Sequence, residues 1–365
     1  MTDAHFPVDI QQLTPAILSA TIRKVHPHVA VQTMAIVESK AYGEEMVSTA
    51  ARAVLDLTYS GTGSQNLPGR VILKLARDNS KLLAPFYENE VNFYNRLRPE
   101  LDMEAPVTLG GDYDAQTGQF GLLLEDLTQR QAHFPNVTEA ISLAQVESLL
   151  DQLAILHARY WESPRFEGDM SWVQSHVKGE VSTLQNEAAT PLIQHEIDSE
   201  NFKREMVQRL RTTGAQMRAG MMAVQKLHST LPQTLLHGDT HLGNTYLLPG
   251  DRGGFLDWQL MVRGYCMHDV NYLITTALSI EQRRNHEQEL LRRYLAKLAE
   301  LGVNNPPSFD VAWKEYRRTL VWGVYYGWLT TPVGNYGWEI NVLNHLRLTT
   351  AYEDLETGKL VAELL

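Results

Sequence analysis

The segment 235–259 reads LLHGDTHLGNTYLLPGDRGGFLDWQ, and it carries polar side chains beside its apolar runs, among them His237, Asp239, His241, Asn244 and Asp257. Ionisable groups are costly to bury in apolar surroundings unless something pairs with them, so the pattern indicates a site. The runs TYLL and FLDW flank Pro249 to Gly254, a cluster of turn formers that predicts a β-hairpin. With Leu248 facing Phe255, this hairpin would bring Asn244 and Asp257 together at its open end.

The residue types at this open end predict phosphoryl transfer. Asn244 and Asp257 offer an amide oxygen and a carboxylate, which are the hard ligands that Mg²⁺ takes while it also binds phosphate oxygens. Asp239 lies five positions before Asn244, where a carboxylate can accept a proton from an attacking hydroxyl. Two other interpretations stay open: a transition-metal cluster of His237, Asp239 and His241, as in a metallohydrolase, or a polar loop satisfied by its own backbone.

A second pair of charged residues is expected earlier in the chain. Glu90 falls on the same helix face as Phe86, Phe93 and Leu97, so its carboxylate stands in an apolar stripe and needs a cationic partner. Lys74, in the strand RVILKLA, is an ammonium on a partly apolar face. A Lys74–Glu90 pair would give each of these charges a partner and would direct the ammonium toward bound phosphates. The simpler alternative is that both are surface residues with long apolar stems.

The elements that position these residues divide the chain into two lobes. A short helix is predicted near Thr14-Pro15, followed by strands over 29–38, 51–60 and 70–76, a helix over 82–97 and two more strand segments joined by a turn. From Leu143 onward most of the chain has helical periodicity. The fold class predicted is therefore α+β: residues 1–125 form a small antiparallel sheet with one helix, and residues 126–365 form a larger, mostly helical lobe.

Length and composition limit the function. A chain of 365 residues is longer than one hydrophobic core usually supports, so two lobes are expected. The net charge of −11 argues against nucleic-acid or anionic-membrane binding. The single cysteine, Cys266, can form no internal disulfide, and the first residues do not resemble a signal peptide, so a cytoplasmic protein is expected.

The motifs together resemble a known family. HGDTHLGN followed by FLDW resembles the catalytic signature of the aminoglycoside phosphotransferase and choline kinase superfamily. The segments ENEVNFYNRL, LLLEDL, LAILHARYW and FLDWQ are most similar to its ecdysteroid-kinase-like branch. The match runs from about Val29 to Leu278. It implies a bilobal protein-kinase-like fold and an ATP- and Mg²⁺-dependent small-molecule kinase.

The resemblance also implies a role for each matching residue. Asp239 corresponds to the catalytic base, and Asn244 and Asp257 correspond to the Mg²⁺ ligands. Lys74 would contact the α- and β-phosphates of ATP, and Glu90 would hold Lys74 in place.

Two further segments take nucleotide-binding roles by the same resemblance. The residues Glu125 to Leu127 correspond to the hinge, whose backbone groups bind adenine and whose side chains matter little. The segment Ser39 to Thr49 occupies the phosphate-loop position, but it carries Gly43 alone where several glycines are usual. Ser48, Thr49 and backbone N–H groups could still bind phosphate, although a plain hairpin connection explains the loop nearly as well.

Four more residues near these motifs are expected to have structural roles. Asp269 precedes a helical segment, so a helix N-cap is the favoured interpretation, and the family adds a brace for the catalytic loop. His157 is expected to be a core histidine with one hydrogen-bonded nitrogen. His237 and His241 are assigned to shaping the loop, since imidazole is a poor ligand for Mg²⁺.

The acceptor is predicted to be a small molecule with a hydroxyl group. Eighty positions separate His157 from His237, they read as extra helices, and no D-F-G or A-P-E segment follows. Aromatic residues near the end of the chain could line the acceptor site: Trp322, Tyr325, Tyr326, Trp328, Tyr336 and Trp338. Aromatic residues at helical spacing are, however, more often part of the core. An apolar or planar alcohol is favoured, and an amine-bearing one stays open. A non-catalytic nucleotide-binding pseudokinase is the alternative function.

Overall fold

The computed structural model describes residues 6–7, 9–40, 50–76 and 81–365. The chain forms two compact units. The first comprises Met1–Leu101, Ala105–Ala132 and Asp257–Gln259, and the second comprises Asp102–Glu104, His133–Leu256 and Leu260–Leu365. The predicted boundary after residue 125 lies a few residues before Ala132. Because Asp257–Gln259 also belong to the first unit, no single boundary along the sequence separates the two units.

The first unit is built on a five-stranded antiparallel sheet with the strand order β1-β2-β3-β5-β4. Its elements are α1 (Pro15–Ile22), β1 (Ala30–Lys40), β2 (Ala50–Ser60), β3 (Arg70–Ala76), α2 (Ala84–Asn92), β4 (Thr108–Tyr113) and β5 (Phe120–Glu125). Thr14 caps α1 by accepting the Ile17 N–H at 3.3 Å, with Pro15 at the first helical position. A π-helical turn, Phe93–Leu97, continues α2. The predicted sheet and helix of this lobe are confirmed.

The core of the first unit lies between α1 and the sheet. The side chains of Leu18, Ile22, Leu55 and Leu73 are fully buried in one cluster with Phe6. A side chain at Gly121 would collide with the Phe6 ring, because its Cβ would lie 2.2 Å from that ring. Burial of each such side chain contributes roughly 1.5–3 kcal/mol of transfer free energy, so this small sheet is held mainly by its apolar face.

The second unit is mostly helical. Its elements are α3 (Leu143–Arg159), α4 (Glu180–Thr183), α5 (Ala189–Ser199), α6 (Asn201–Arg209), α7 (Gly214–His228), β6 (Thr234–Leu236), β7 (Thr245–Leu248), β8 (Arg252–Phe255), β9 (Val262–Gly264), α8 (Met267–Ala277), α9 (Ile280–Glu300), α10 (Phe309–Trp322), α11 (Val333–Tyr336), α12 (Trp338–Asp354) and α13 (Thr357–Ala362). The helix predicted from Leu143 begins there, where Ser142 and Gln145 form a reciprocal capping box.

The predicted hairpin exists, but its predicted register is wrong. Thr245 pairs with Phe255 and Leu248 with Arg252, so the turn is tighter than the sequence indicated. Gly253 and Gly254 lie in β8, not in the turn, since their missing side chains let Leu149 and Tyr246 pack against the strand. Asn244 therefore accepts the Leu256 N–H, at 3.0 Å, one residue before Asp257.

Among the described residues, no helix has the length and apolar character needed to cross a membrane.

Candidate functional site

The first unit contains the expected ion pair. The Lys74 ammonium, on β3, lies 2.7 Å from both carboxylate oxygens of Glu90, on α2. Both side chains are buried, with 6% and 0% of their side-chain surface exposed. The predicted pairing is confirmed, and the alternative of two surface residues is wrong. Each charge satisfies the other in surroundings where either alone would be strongly unfavourable.

Asp257 and Gln259 complete this cluster. One Asp257 oxygen lies 3.7 Å from the Lys74 ammonium. The Gln259 amide donates to Glu90 at 3.3 Å, and its backbone oxygen accepts from Asn89 at 3.1 Å. Burial raises the pKa of Glu90; Lys74 opposes that shift, and the negative charge of Asp257 adds to it. Lys74 thus faces two carboxylates, one buried and one partly exposed.

The second unit contains the loop that carries Asp239. The Asp239 side chain is 24% exposed, and the Asn244 amide nitrogen donates both to its carboxylate and to its backbone oxygen, each at 2.9 Å. Because both interactions use the Asn244 nitrogen, the amide oxygen is the atom left to bind a cation. The loop thus holds an accessible carboxylate beside an oriented amide.

A buried carboxylate on α8 holds the backbone of this loop. The two oxygens of Asp269 accept the N–H groups of His237 and Gly238, at 2.7 and 3.0 Å. The Asp269 backbone oxygen accepts the Thr240 hydroxyl at 2.7 Å. The favoured prediction of a helix N-cap is wrong, because Cys266 occupies that position and Asp269 lies inside the first turn. The contacts instead agree with the other suggestion for Asp269, that it braces the loop.

Two histidines support this brace. His157 contacts Asp269 through Nε2 at 3.2 Å and the Tyr294 hydroxyl through Nδ1 at 2.7 Å. The prediction of a core histidine is confirmed, since His157 is fully buried, but both of its nitrogens are engaged rather than one. His268 donates from Nε2 to the Gly238 oxygen at 3.1 Å. Burial raises the pKa of Asp269, but the hydrogen bond and charge of His157 outweigh it, and the pKa ends below the usual value.

The tight turn of the loop requires glycine at position 238. Gly238 has a φ of +85°, and a Cβ there would lie 2.0 Å from the Leu260 oxygen. Any side chain would push the loop off its brace.

The loop histidines shape the loop, as predicted. His237 donates from Nε2 to the Leu256 oxygen at 3.0 Å and accepts the Asp239 N–H at Nδ1. His241 accepts the Gly243 N–H at Nδ1, and its Nε2 lies 3.8 Å from the Asp239 carboxylate. Among the described residues no group of three or more His, Cys, Asp or Glu side chains could hold a metal ion, so the transition-metal interpretation has no described site.

The remaining predicted nucleotide-binding residues lie at the end of the sheet or outside the described part. The Glu125 side chain accepts from the Val107 N–H and from Arg130, at 2.9 and 3.2 Å. Leu127 begins a 3₁₀ turn capped by Asp126. Ser48 and Thr49 lie outside the described residues.

Comparison with known proteins identifies the family. The model of the phosphotransferase enzyme family matches residues 55–303, about two thirds of the chain, including β3 to β9, the loop and α8. This chain belongs to the phosphotransferase enzyme family. The predicted superfamily and enzyme class are confirmed; the assignment to the ecdysteroid-kinase-like branch stays a prediction. No curated protein matches the sequence.

Solved structures of similar fold come from the same class of enzymes. The GDP and kanamycin complex of APH(2")-IIia is 11% identical, with a TM-score of 0.50, over 93% of this phosphotransferase and 97% of that chain. Choline kinase LicA from Streptococcus pneumoniae is 14% identical, with a TM-score of 0.47, over 89% and 94% of the two chains. At such identities the similarity concerns the fold, and the predicted α+β, protein-kinase-like fold is confirmed.

Aromatic residues of this phosphotransferase form a chain of ring contacts that starts at the loop. The His241 ring lies 5.8 Å from Trp328, which lies 5.8 Å from Tyr336. Of the six aromatics singled out in the sequence, Trp322, Tyr325 and Trp328 are buried, whereas Tyr336 and Trp338 are exposed, at 38% and 53%. This series of ring contacts therefore extends from the buried interior to the surface.

Sequence reasoning did not single out Gln259 or His268, although both lie near a recognised motif. Gln259 follows the FLDW motif directly, and its polarity between Trp258 and Leu260 was an available signal. His268 gave no signal, since its contact with Gly238 joins residues 30 positions apart.

Proposed function

We propose that this phosphotransferase is an ATP- and Mg²⁺-dependent kinase that transfers the γ-phosphoryl group to the hydroxyl of a small alcohol, apolar rather than amine-bearing. The observation that carries the proposal is the partly exposed Asp239 carboxylate on a loop whose backbone is fixed by the buried carboxylate of Asp269. Such fixed placement suits a reaction that depends on alignment more than on covalent help from the protein.

The residues present fit a magnesium ion. The free Asn244 amide oxygen and the partly exposed Asp257 carboxylate are the hard oxygen donors that Mg²⁺ prefers. When bound with ATP, Mg²⁺ would neutralise charge on the phosphate groups. The Asp257 backbone lies in the left-handed region, at a φ of 66°, an uncommon conformation that Asp tolerates better than most residues and that often marks a functional position.

The chain's own residues then perform positioning and proton transfer. Asp239 accepts a hydrogen bond from the acceptor hydroxyl and takes its proton as the new O–P bond forms. The bond between the γ-phosphorus and the β,γ-bridging oxygen breaks, and ADP leaves with that electron pair. Lys74, held by Glu90, binds phosphate oxygens, and the backbone of Glu125 to Leu127 binds adenine. The Glu125 side chain is engaged by Val107 and Arg130, which leaves adenine recognition to the backbone.

The aromatic chain supports an apolar acceptor. The rings run from His241, whose Nε2 lies 3.8 Å from the Asp239 carboxylate, through the buried Trp328 to the exposed Tyr336, so aromatic side chains lie beside the proposed base. A cytoplasmic location is also proposed, because a chain whose one cysteine is buried needs no oxidising compartment.

The test combines thermal shift with turnover. Stabilisation by ATP that requires Mg²⁺ supports the kinase; stabilisation by ATP without metal supports the pseudokinase alternative. Turnover is measured as ADP formation with ATP or GTP against sterols, planar alcohols, choline and aminoglycosides. Phosphorylation of an apolar alcohol, lost in Asp257→Ala together with the Mg²⁺ requirement for nucleotide binding, is the expected result. Turnover of aminoglycosides alone would contradict the apolar acceptor, and no turnover with metal-independent binding would contradict the kinase.

A further inference from the structure

A small cavity of the second unit lies away from the Asp239 carboxylate. We call it the His176 cavity. It has a volume of about 20 Å³ and is lined by the segment 175–177, the end of α7, β9, the start of α8, and α10. A cavity needs about 10–15 Å³ to hold one water molecule, so the His176 cavity has room for one small molecule or ion.

Four buried side chains in its wall have a polar atom with no hydrogen-bond partner among the described residues. These atoms are Nε2 of His176, Nε2 of Gln225, the hydroxyl of Tyr265 and Nε1 of Trp322. The residues are between 2% and 9% exposed. Each unsatisfied buried polar group costs about 1–3 kcal/mol, and four in one wall indicate that something in the cavity satisfies them.

These four groups share one chemical property. The Trp322 indole and the Gln225 amide nitrogen only donate hydrogen bonds, and the Tyr265 hydroxyl and the neutral His176 ring can each donate one. The other two histidines of the wall are already engaged: His268 donates to the Gly238 oxygen at 3.1 Å, and His228 lies 2.9 Å from a Glu315 oxygen. The wall therefore holds two groups that only donate and two that can donate, which favours a partner that accepts hydrogen bonds.

Positive charge is present at the same cavity. Arg263 belongs to the lining, and its ion-pair partner, Glu167, is 81% exposed. An exposed partner screens the arginine weakly, so Arg263 favours a negatively charged occupant over a neutral one.

We propose that the His176 cavity binds a small monovalent anion, either a halide or a carboxylate as small as formate, held by N–H and O–H donors of His176, Gln225, Tyr265 and Trp322. The site is joined to the catalytic loop through His268, which bonds the oxygen of Gly238 next to Asp239. A bound anion therefore stabilises the wall on which the loop rests.

The test uses the full chain with sodium bromide, sodium formate and, at equal ionic strength, sodium gluconate, whose anion is too large to enter. Bromide or formate should raise the melting temperature above the gluconate value. Tyr265→Phe and Gln225→Met each remove one donor and keep the shape, and each should weaken the anion affinity about tenfold, the effect of one hydrogen bond to a charged group. Tyr59→Phe is the matched control, because its hydroxyl bonds the Pro68 oxygen in the first unit; its response should equal that of the unmodified protein.

Crystals soaked in bromide give an independent measurement. An anomalous peak within hydrogen-bonding distance of Trp322 Nε1 and Tyr265 Oη is expected. A response to both anions assigns a general anion site, and a response to formate alone assigns a carboxylate site. Water density at that position without an anomalous peak, or equal stabilisation of all four proteins, would overturn the proposal.

Discussion

The two units hold their functional carboxylates in opposite ways. In the first, Glu90 is fully buried against the ammonium of Lys74, so charge is balanced by charge. In the second, Asp239 is partly exposed, and the buried carboxylate is Asp269, whose partners are two backbone N–H groups and His157. In the first arrangement a counter-ion fixes a buried ammonium, and in the second a buried carboxylate fixes the backbone of the loop that carries Asp239.

This difference matters because the two tasks have different physical requirements. A phosphate-binding lysine must stay charged, and a buried counter-ion secures that. A catalytic base must keep a free lone pair, so its orientation has to come from the backbone beneath it rather than from a cation beside it. Variants of these residues can show whether the charge of Lys74 and the position of Asp239 are maintained independently of each other.

The largest effect is expected at the base itself. Asp239→Asn keeps the size of the side chain and removes its ability to take a proton, so kcat should fall by about 10²–10⁴-fold while ATP affinity stays nearly unchanged. Steady-state kinetics and calorimetry measure the two. Asp251→Asn, in the exposed hairpin turn, is the matched control. A normal rate in Asp239→Asn would show that this carboxylate is not the base.

Removing the brace should reduce both stability and turnover. Asp269→Asn leaves one acceptor oxygen for two N–H groups and removes the charge facing His157, which should lower the free energy of unfolding by about 3–5 kcal/mol. In the folded fraction, kcat should fall with little change in the KM for ATP, because the charge proposed to bind the nucleotide, Lys74, has no contact with Asp269 among the described residues. Denaturant titration and kinetics at low temperature check this. A raised KM for ATP with unchanged kcat would contradict the positioning role.

Disruption of the Lys74–Glu90 ion pair should have the reverse effect, because it should lower the affinity for ATP as well as the stability. Lys74→Met leaves the buried Glu90 carboxylate without its cation and should cost about 3 kcal/mol of stability at pH 8. Glu90 already has a raised pKa, so its folded form takes up a proton more readily than the unfolded chain. The destabilisation should therefore be smaller at pH 5 and grow as the pH rises.

The double variant Lys74→Met/Glu90→Leu separates stability from function. It should regain most of the lost stability, since no buried charge remains, but not the affinity for ATP. Urea denaturation at pH 5 and pH 8 and ATP calorimetry provide the measurements. Recovery of ATP binding in the double variant would mean that Lys74 serves the fold alone.

The last prediction concerns acid stability alone, where the second unit should differ in sign from the first. Burial lowers the pKa of His345, on α12, to about 3. The unfolded chain therefore binds a proton between pH 6.5 and about 3 that the folded chain does not, and stability falls as the pH falls through this window, by up to about 1.4 kcal/mol per pH unit. His345→Phe should flatten that slope, and His195→Gln, at an exposed histidine of α5, should not. Equal slopes in all three proteins would contradict this assignment.

Local patterns were enough to predict the individual elements and one long-range contact. The capped starts of α1 and α3 follow from Thr14-Pro15 and Ser142, because capping depends on residues within one turn. The Lys74–Glu90 pair was also predictable, since two charges in apolar stripes have few ways to be satisfied. The hairpin register was not, because the packing of Leu149 and Tyr246 against Gly253 and Gly254 decided where the strand begins.

The sequence by itself determined which chemical groups this phosphotransferase carries, the order of its elements and the class of reaction, because residue types, periodicity and a dense motif are local properties. Only the tertiary structure decided that Asp269 accepts two N–H groups of the loop from inside α8, that Gln259 joins Glu90, and that four residues with an unpartnered buried polar atom line the His176 cavity. Those arrangements depend on distances between residues far apart in the chain. Packing sets these distances, and no pattern along the sequence encodes them directly.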